Sequence, residues 1–366
     1  MESDDPSRCN DRNVDSIIQE EEMLMKATQR KKLDLAKKPT PVELLPRLSR
    51  LIGGPDIYIK RDDLTGGGVS GNKIRKLEYC VADALDKGAQ VLITCGGIQS
   101  NHARATAAVA ARLGLSSHLV LNGTPEEIPE GNLFLDLLFN ARITFLPEEK
   151  GHERDSTMER LAREYEEQGK RAYIIPLGAS NSLGCLGYVD AVTEMIPQVA
   201  ALPSSPRHLV TAVGSGGTLA GLVAGVLLHK LPWRITAISV AYPRQQVLET
   251  VQHLLEELRK TDFPDLGTLP RETLTVLDDY LGEGYGTTTP EQLRFIATAA
   301  ATEEQLLDPV YTGKAFYGLS REIAAGRFPK DEPVLFLHTG GAFGLFPFRK
   351  HFNQAVFSTL SAPGKN

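Results

Sequence analysis

Short apolar, β-branched runs alternate with longer segments of helical period along this sequence. Several runs, such as VLIT, HLVTAV and PVLFL, are apolar throughout, which is typical of parallel strands buried on both faces. The alternation predicts an α/β fold with an open, doubly wound parallel sheet. The predicted strands are Asp56–Lys60, Gln90–Cys95, Ser117–Leu121, Ile143–Leu146, Ala172–Pro176, His208–Val213, Arg234–Ala241 and Pro333–His338. The predicted helices include Asn72–Lys87, Asn101–Leu113, Ser182–Val199, Gly217–His229, Pro290–Ala301 and Gly313–Ala325.

Composition limits the class of protein before any motif is considered. The 366 residues suggest two domains at about 150 residues each, and the net charge of −6 argues against a strongly basic nucleic-acid or membrane-surface protein. The 4 cysteines and 8 histidines show no metal-ligand spacing, so neither a metal site nor a disulfide framework is expected. No apolar run suits a transmembrane helix, and the acidic N-terminus lacks the features of a secretion signal. We therefore expect a cytoplasmic protein that binds neither nucleic acid nor a membrane.

Three of the predicted strands end in glycine-rich turns that lead into helices. These turns contain Gly96-Gly97, Gly214 to Thr218, and Gly340-Gly341. In doubly wound folds, ligands bind at the carboxyl ends of strands and near helix N-termini, so the turns predict a small-molecule site. The polar residues 1–37 carry no such motif and are interpreted as an N-terminal extension.

The turn Gly214-Ser215-Gly216-Gly217-Thr218 predicts a phosphate site. Glycine lets the backbone approach a ligand closely, and successive N–H groups at a helix start form a cradle for an anion. A dinucleotide is the main alternative, but it requires an acidic residue about 20 residues later. The next strand, RITAISVAY, carries none, which disfavours an NAD-dependent dehydrogenase. A purely structural glycine turn remains an alternative at this point.

Three basic residues, Lys73, Arg75 and Lys76, stand close together at the predicted start of a helix. The helix dipole disfavours cations there, and an anionic ligand would offset that cost. A lysine beside two other cations at a positive helix end should have a lowered pKa, as an amine nucleophile that forms a Schiff base requires. The alternative is an ordinary solvated basic first turn.

Several segments together resemble one enzyme family over the chain from about Pro41 to Phe348. They are GNKIRKLEY, GGIQSNHARATAAVAARLG, GSGGTLAGL, DPVYTGKAFYGL and HTGGAFGLF. In this order they resemble the pyridoxal-phosphate (PLP)-dependent D-cysteine desulfhydrase and 1-aminocyclopropane-1-carboxylate (ACC) deaminase family, which has the tryptophan-synthase-β-like fold (PLP fold type II). The resemblance implies two doubly wound parallel-sheet domains, with a small domain of residues 77–186 inserted into a large PLP-binding domain of residues 38–76 and 187–366. It also implies an active site between the domains and a homodimer.

The resemblance assigns a role to each segment. Lys73 resembles the lysine that holds the cofactor as a Schiff base and later moves the substrate Cα proton. The implied phosphate contacts are Lys76 and the backbone of Gly214, Ser215, Gly216, Gly217 and Thr218. Ser100, Asn101 and His102 resemble the loop that binds the substrate carboxylate, and Asn101 also resembles a ligand of the cofactor's phenolic oxygen. A carboxylate would meet free N–H groups at this helix start, although an N-cap role is the alternative for Ser100 and Asn101.

Two tyrosines and two threonines complete the resemblance. Tyr285 and Tyr311 resemble active-site tyrosines that lie near the cofactor ring and shuttle protons, whereas ordinary half-buried aromatic residues are the alternative. Thr312 and Thr339 stand where the deaminases carry glutamate and leucine, and both match the desulfhydrase pattern. A threonine hydroxyl cannot hold a proton on the pyridine nitrogen as a glutamate would, so the cofactor ring would be a weaker electron sink.

This difference favours β-elimination over the opening of a cyclopropane ring. The resemblance therefore implies a PLP-dependent lyase that releases thiolate from D-cysteine and leaves pyruvate and ammonia. The closest alternatives are L-cysteate sulfo-lyase, for which Arg75 or Lys314 would have to meet the sulfonate, and ACC deaminase. An NAD-dependent dehydrogenase and a non-catalytic binding module are alternatives of a different class. The intact lysine, serine, asparagine and tyrosines argue against the binding module.

Overall fold

The computed structural model describes residues 30–357, and the chain from Lys32 onward forms one compact unit. Residues 1–29 of the predicted N-terminal extension lie outside the described residues. In the described part of that extension, Leu35 and Ala36 are buried, and their N–H groups both donate to Glu78 Oε1 at 2.9 Å. The folded body therefore begins before residue 38, because this segment packs onto a helix of the fold.

The described residues form ten strands and eleven helices. The strands are β1 (Val42–Leu44), β2 (Ile57–Lys60), β3 (Val91–Gly97), β4 (Ser116–Asn122), β5 (Arg142–Leu146), β6 (Ala172–Ile174), β7 (His208–Val213), β8 (Arg234–Ser239), β9 (Leu274–Leu277) and β10 (Val334–Leu337). The helices are α1 (Pro46–Ile52), α2 (Lys73–Asp86), α3 (Asn101–Leu113), α4 (Gly131–Leu138), α5 (Arg154–Glu167), α6 (Ser182–Ala200), α7 (Gly217–Leu228), α8 (Arg244–Thr261), α9 (Pro290–Glu303), α10 (Thr312–Ala324) and α11 (Arg349–Ala355). Short 3-10 helices cover Asp62–Leu64, Glu148–Glu153, Leu177–Ala179 and Ala342–Phe348. Between residues 30 and 357, no helix is both long and apolar enough to cross a membrane.

The strands form two separate sheets. The larger sheet has the order β1-β2-β10-β7-β8-β9, in which β1 is antiparallel to β2 and all other neighbours are parallel. The smaller sheet has the order β5-β4-β3-β6 and is parallel throughout. The strands of the smaller sheet all come from the chain between β2 and β7, so one sheet is built within an excursion from the other. Parallel neighbours need crossover connections, and the helices between these strands supply them. The predicted α/β fold class with two parallel-sheet domains is confirmed.

The central strands of the larger sheet are buried on both faces. Every residue of β2, β7 and β10 is buried, which explains their continuous apolar runs. Ile57, Val210 and Phe336 from these strands share one core cluster with Phe316 and Leu319 of α10. The rings of Phe316 and Phe336 lie 4.8 Å apart between centroids. The sheet is therefore tightly packed where the turns after its strands begin.

All of the predicted strands and helices named from the sequence are present, with ends that differ by at most about two residues, within the usual boundary uncertainty. The sequence analysis missed β1 and β9, which form the two edges of the larger sheet. These strands have 3 and 4 residues, too few for an alternating pattern to stand out. Their pairing depends on neighbours that are distant in the chain, which a local pattern does not contain.

Candidate active site

A cavity of about 240 Å³ lies where strand ends from both sheets come together. Its walls include the C-terminal ends of β3 and β7 and the N-terminal ends of α2, α3 and α7. The predicted site residues that line it are Lys73, Ser100, Asn101, His102, Gly214, Ser215, Gly216, Thr218, Tyr285, Tyr311 and Thr339. This is the location that a doubly wound fold favours for a ligand. Three other predicted residues, Lys76, Gly217 and Thr312, lie behind the wall rather than on it.

Lys73 is the first residue of α2 and is half-buried on the cavity wall. Its Nζ atom lies 6.0 Å from the centroid of the Tyr311 ring. Burial and, to a smaller extent, the charge of Lys76 lower the pKa of Lys73 to about 7, while the charge of Asp308 acts in the opposite direction. At neutral pH a large fraction of this amine is therefore unprotonated, as a nucleophile requires.

Arg75 does not line the cavity, although the sequence groups it with Lys73 and Lys76 as a possible anion contact at the start of the helix. Its guanidinium is 1% exposed and pairs with the carboxylates of Asp62 and Glu194, each at 2.8 Å. Lys314 is also turned away, because its Nζ donates to two backbone carbonyls of the 281–284 loop at 2.7 and 2.8 Å. Neither of these cations, which the sulfonate alternative required, lines the cavity.

Lys76 lies directly behind the glycine turn. Its ammonium group donates to the Gly178 carbonyl at 2.6 Å and to Ser180 Oγ at 3.3 Å, and the side chain is fully buried. A Cβ atom built on Gly217 would lie 2.6 Å from Lys76 Nζ. Burial lowers the pKa of Lys76 to about 8. The lysine thus contributes positive charge to the turn from the protein side.

The glycine turn is held open by its own backbone and by a serine from another loop. Gly216 has φ +85°, a left-handed conformation that glycine adopts without strain. Ser180 Oγ accepts from the Gly217 N–H at 3.1 Å and lies 2.8 Å from Ser215 Oγ. A Cβ on Gly217 would lie 2.9 Å from Ser180 Cα, so no side chain fits there. The turn leads into α7 with its N–H groups beside the cavity, as a phosphate cradle requires.

The second helix start carries the serine, asparagine and histidine of the sequence motif. Ser100 Oγ accepts from the Ala103 N–H at 3.2 Å, so the N-cap alternative holds for Ser100. The Asn101 side chain accepts from Asn132 Nδ2 at 2.9 Å. Burial and the charge of Lys73 keep the pKa of His102 well below its usual value, so His102 is neutral. All three predicted residues still line the cavity beside the free N–H groups of α3.

The two predicted tyrosines lie side by side on the cavity wall. Their rings are 5.8 Å apart at 72°, and the Tyr311 hydroxyl donates to the Tyr285 hydroxyl at 3.1 Å. Burial raises the pKa of Tyr311 well above its usual value, so this hydroxyl keeps its proton. Tyr285 is 45% exposed, which makes it the more accessible member of the pair.

The two predicted threonines have different surroundings. Thr339 lines the cavity, whereas Thr312 is fully buried at the start of α10. The Thr312 hydroxyl donates to Asp308 Oδ1 at 2.8 Å and accepts from the Asp308 N–H at 2.9 Å. Asp308 also accepts from the N–H groups of residues 310–312. This carboxylate, which the sequence analysis did not single out, therefore anchors the loop that carries Tyr311.

The sequence analysis missed several residues of the cavity wall, among them Asn72 and Arg154. Asn72 donates from Nδ2 to Thr218 Oγ1 at 2.9 Å and so joins the lysine helix to the glycine turn. Its position directly before Lys73 was a signal that could have found it. Arg154, the first residue of α5, also lines the cavity, and no local motif marks it. In the described part of the chain, no cluster of three or more residues could hold a metal ion.

Known proteins resemble this chain over most of its length. Residues 33–340 match the family described as "Pyridoxal-phosphate dependent enzyme". A D-cysteine desulfhydrase of Salmonella choleraesuis is 42% identical over 330 residues, covering 87% of this chain and 97% of that protein. A protein of Pyrococcus abyssi, provisionally assigned as an ACC deaminase, is 40% identical over 321 residues, covering 88% of this chain and 93% of that protein.

A solved structure has the same fold. The crystal structure of an ACC deaminase homologue shares 37% identity with this chain at a TM-score of 0.83, covering 91% of this chain and 99% of that one. Because these relatives are PLP-dependent enzymes, the glycine turn and the lysine helix are not explained by an NAD-dependent dehydrogenase or by a non-catalytic binding module. The chain belongs to the pyridoxal-phosphate-dependent enzyme family.

Proposed function

We propose that this PLP-dependent lyase catalyses β-elimination on D-cysteine or a related β-substituted alanine, with pyruvate, ammonia and sulfide as products. One observation carries the proposal: a lysine whose pKa is lowered to about 7 faces a cavity with two open helix starts. The D-cysteine desulfhydrase of Salmonella choleraesuis, at 42% identity, supports this choice of substrate.

The residues present fit the cofactor. Lys73 would attach it covalently, and the backbone of residues 214–218 would hold its phosphate, because this turn lines the cavity at the start of α7. Lys76 would balance the phosphate charge from behind the turn, and Asn101 would meet the ring oxygen. When bound, PLP supplies an electron sink next to the substrate Cα.

Proton transfer at Cα is assigned to Lys73. An amine with a pKa near the operating pH can both accept and return a proton, and this one stands beside the expected substrate position. The helix start at Ser100, Asn101 and His102 would hold the substrate carboxylate with free N–H groups. Together these contacts orient Cα toward the lysine.

Tyr285 is assigned as the proton donor to the departing group. Because the Tyr311 hydroxyl donates to the Tyr285 hydroxyl, the proton of Tyr285 is available for another acceptor. The exposed position of Tyr285 would let a product leave past it. Tyr311 would act through this hydrogen bond and through its place beside Lys73.

The threonines are proposed to set the reaction type. Thr312 carries no charge, and its hydroxyl is already engaged by Asp308. It would leave the pyridine nitrogen without a protonating partner, which favours elimination of a good leaving group. Replacing Thr312→Glu and Thr339→Leu together should therefore lower D-cysteine turnover, measured as sulfide release. If the double variant keeps its D-cysteine activity, the electron-sink argument is wrong.

The main experiment uses the purified protein with its cofactor. We expect a yellow protein that releases sulfide and pyruvate in equal amounts from D-cysteine. Lys73→Ala should lose both the cofactor absorbance and the activity, whereas the exposed Lys87→Ala at the other end of α2 should keep them. A colourless wild-type protein, or normal turnover by Lys73→Ala, would refute the proposal.

A homodimer of two-domain subunits in the cytoplasm is proposed as the working state. Helix α4 leaves Phe134, Leu137 and Leu138 exposed, and the adjacent 3-10 helix leaves Phe346 exposed, which suits an interface with a second copy. The buried cysteines of the described residues form no disulfide, which suits a reducing compartment. Within each subunit, residues 77–186 are proposed as the small inserted domain. Light scattering should give twice the subunit mass of 39.9 kDa, and a monomer would contradict the dimer.

A further inference from the structure

Lys314 is a buried cation that the proposed reaction does not use. It lies in the first turn of α10, and its side chain is fully buried. Its Nζ atom donates to the Leu281 carbonyl oxygen at 2.7 Å and to the Gly284 carbonyl oxygen at 2.8 Å. No residue between 30 and 357 forms an ion pair with this ammonium group. Burying a charge is costly unless hydrogen bonds compensate it, so these two carbonyls are what stabilise the lysine in its place.

Both carbonyls belong to the loop of residues 281–286, which carries Tyr285. Three residues of this loop are glycines with positive φ: Gly282, Gly284 and Gly286. Glycine adopts many backbone conformations, so such a loop keeps a single conformation only where contacts hold it. The Leu281 carbonyl also accepts from the Gly284 N–H at 3.3 Å. Lys314 therefore binds both ends of the short turn that comes directly before Tyr285.

The place of the Tyr285 side chain depends on this loop. The ring is partly exposed, and a Cβ built on Gly97, at the end of β3, would lie 3.5 Å from it. Its hydroxyl accepts from the Tyr311 hydroxyl at 3.1 Å. Because solvent surrounds part of the ring, packing alone does not fix it. The backbone of residues 281–286 therefore sets where the Tyr285 hydroxyl lies in the cavity.

The start of α10 holds the loops of both tyrosines with side chains of opposite charge. The Asp308 carboxylate accepts from the Tyr311 N–H at 2.8 Å, and the Lys314 ammonium donates to carbonyls of the loop of Tyr285. Hydrogen bonds in which one partner is charged are roughly twice as strong as neutral ones. Since Asp308 and Lys314 are six residues apart in one segment, they hold the two loops relative to each other.

We propose that Lys314 is a positioning residue, which holds the loop of residues 281–286 so that the Tyr285 hydroxyl stays beside Tyr311 and can give its proton to the departing group. This inference rests on the proposed function, in which Tyr285 is that proton donor. Lys314 itself touches neither substrate nor cofactor, because its ammonium group is turned away from the cavity.

The kinetic test compares the holoenzyme with Lys314→Met, Lys314→Gln and a control, Lys87→Met. Lys87 is 62% exposed and pairs with Asp83 on its own helix, so its loss should not change turnover. For D-cysteine, Lys314→Met should lower kcat by about tenfold or more, the factor for one lost charge-assisted hydrogen bond, and change KM by less than about threefold. Lys314→Gln keeps a shorter hydrogen-bond donor and should lose less. An unchanged kcat in Lys314→Met would overturn the inference.

A second background separates positioning from a general structural role. In Tyr285→Phe, the further change Lys314→Met should lower kcat by less than about twofold, because the hydroxyl that the lysine positions is already absent. The same loss in both backgrounds would overturn the inference, since a merely structural lysine acts whether or not that hydroxyl is present. Full activity of Tyr285→Phe alone would also overturn it, because no proton donor would then be positioned.

Hydrogen exchange makes the test independent of turnover. Mass spectrometry of the holoenzyme should show amide exchange at residues 281–286 at least about fivefold faster in Lys314→Met, while exchange in β3 stays unchanged and Lys87→Met matches the wild type. Unchanged exchange in the loop, or equally faster exchange throughout the chain, would overturn the inference. If no β-substituted alanine reacts at all, the proposed function fails, and the exchange comparison still decides whether Lys314 holds the loop.

Discussion

The buried ionic cluster around Asp62 should hold the lysine helix in place. The Asp62 carboxylate is fully buried and accepts from Arg75 Nε and Nη2 at 2.9 and 2.8 Å, from the Tyr188 hydroxyl at 2.6 Å and from Thr40 Oγ1 at 2.7 Å. Asp62→Asn keeps the size of the side chain but removes its charge. Arg75 then keeps one carboxylate partner, Glu194, which lies partly exposed.

The expected cost is about 3 kcal/mol in the free energy of unfolding, the low end of the range for a broken buried ion pair. The low end applies because Glu194 still pairs with Arg75. Urea denaturation at saturating PLP measures this cost, since bound cofactor then stabilises both proteins equally. The control is Glu164→Gln, which breaks an exposed pair with Arg160 and should cost less than about 0.5 kcal/mol.

The same variant makes a pH prediction with a definite sign. Burial alone would raise the pKa of Asp62, but the Arg75 guanidinium and its hydrogen bonds hold it below its usual value. The stabilisation is therefore present above the unfolded-state pKa of about 4 and is lost as the pH falls through the lower folded-state pKa. The difference between wild type and Asp62→Asn should shrink in acid. A loss below about 1 kcal/mol at pH 7, or a loss equal to that of Glu164→Gln, would refute this account of a buried ion pair.

Three further predictions follow from contacts and charges near the site. Gly187→Ala should lower the free energy of unfolding, measured in urea, by about 1–3 kcal/mol, because the new Cβ would lie 2.3 Å from the Arg75 carbonyl oxygen. The control is Gly267→Ala, whose new Cβ would have no atom within 4 Å. Equal losses in the two variants would contradict the packing argument. The rate at which apoenzyme takes up PLP should rise as the pH passes about 7, where Lys73 loses its proton, and a rate independent of pH between about 6 and 8 would contradict the lowered pKa. Asp308→Asn removes a charge that raises the pKa of Lys73, so the midpoint of this pH profile should move lower; an upward movement would contradict the assigned sign.

Much of the fold could be predicted from local patterns. The apolar runs of β2, β7 and β10 and the long helical segments between strands are properties of short stretches of chain, and each appears in the structure. The edge strands β1 and β9 could not be predicted in this way. A strand of three or four residues is stabilised by its neighbour in the sheet, and that neighbour lies elsewhere in the chain.

The site was predictable in part because its residues follow strand ends. The glycine turn, the Ser100 loop and Lys73 each stand at the start of a helix, and parallel strands bring such positions to the same side of the fold. Helix geometry accounts for the error about Arg75. Two positions along a helix turn the side chain by about 200°, so Lys73 faces the cavity while Arg75 faces the buried carboxylates.

The sequence by itself determined the α/β class, the open helix starts and the residues able to bind an anion or act as an amine nucleophile. These are local properties of backbone freedom, periodicity and side-chain chemistry. The tertiary structure decided that Lys73 reaches the cavity, whereas Arg75 pairs with the carboxylates of Asp62 and Glu194. It also brought Arg154, which begins the helix between β5 and β6, to the cavity, because packing of the two sheets joins residues that no local pattern relates.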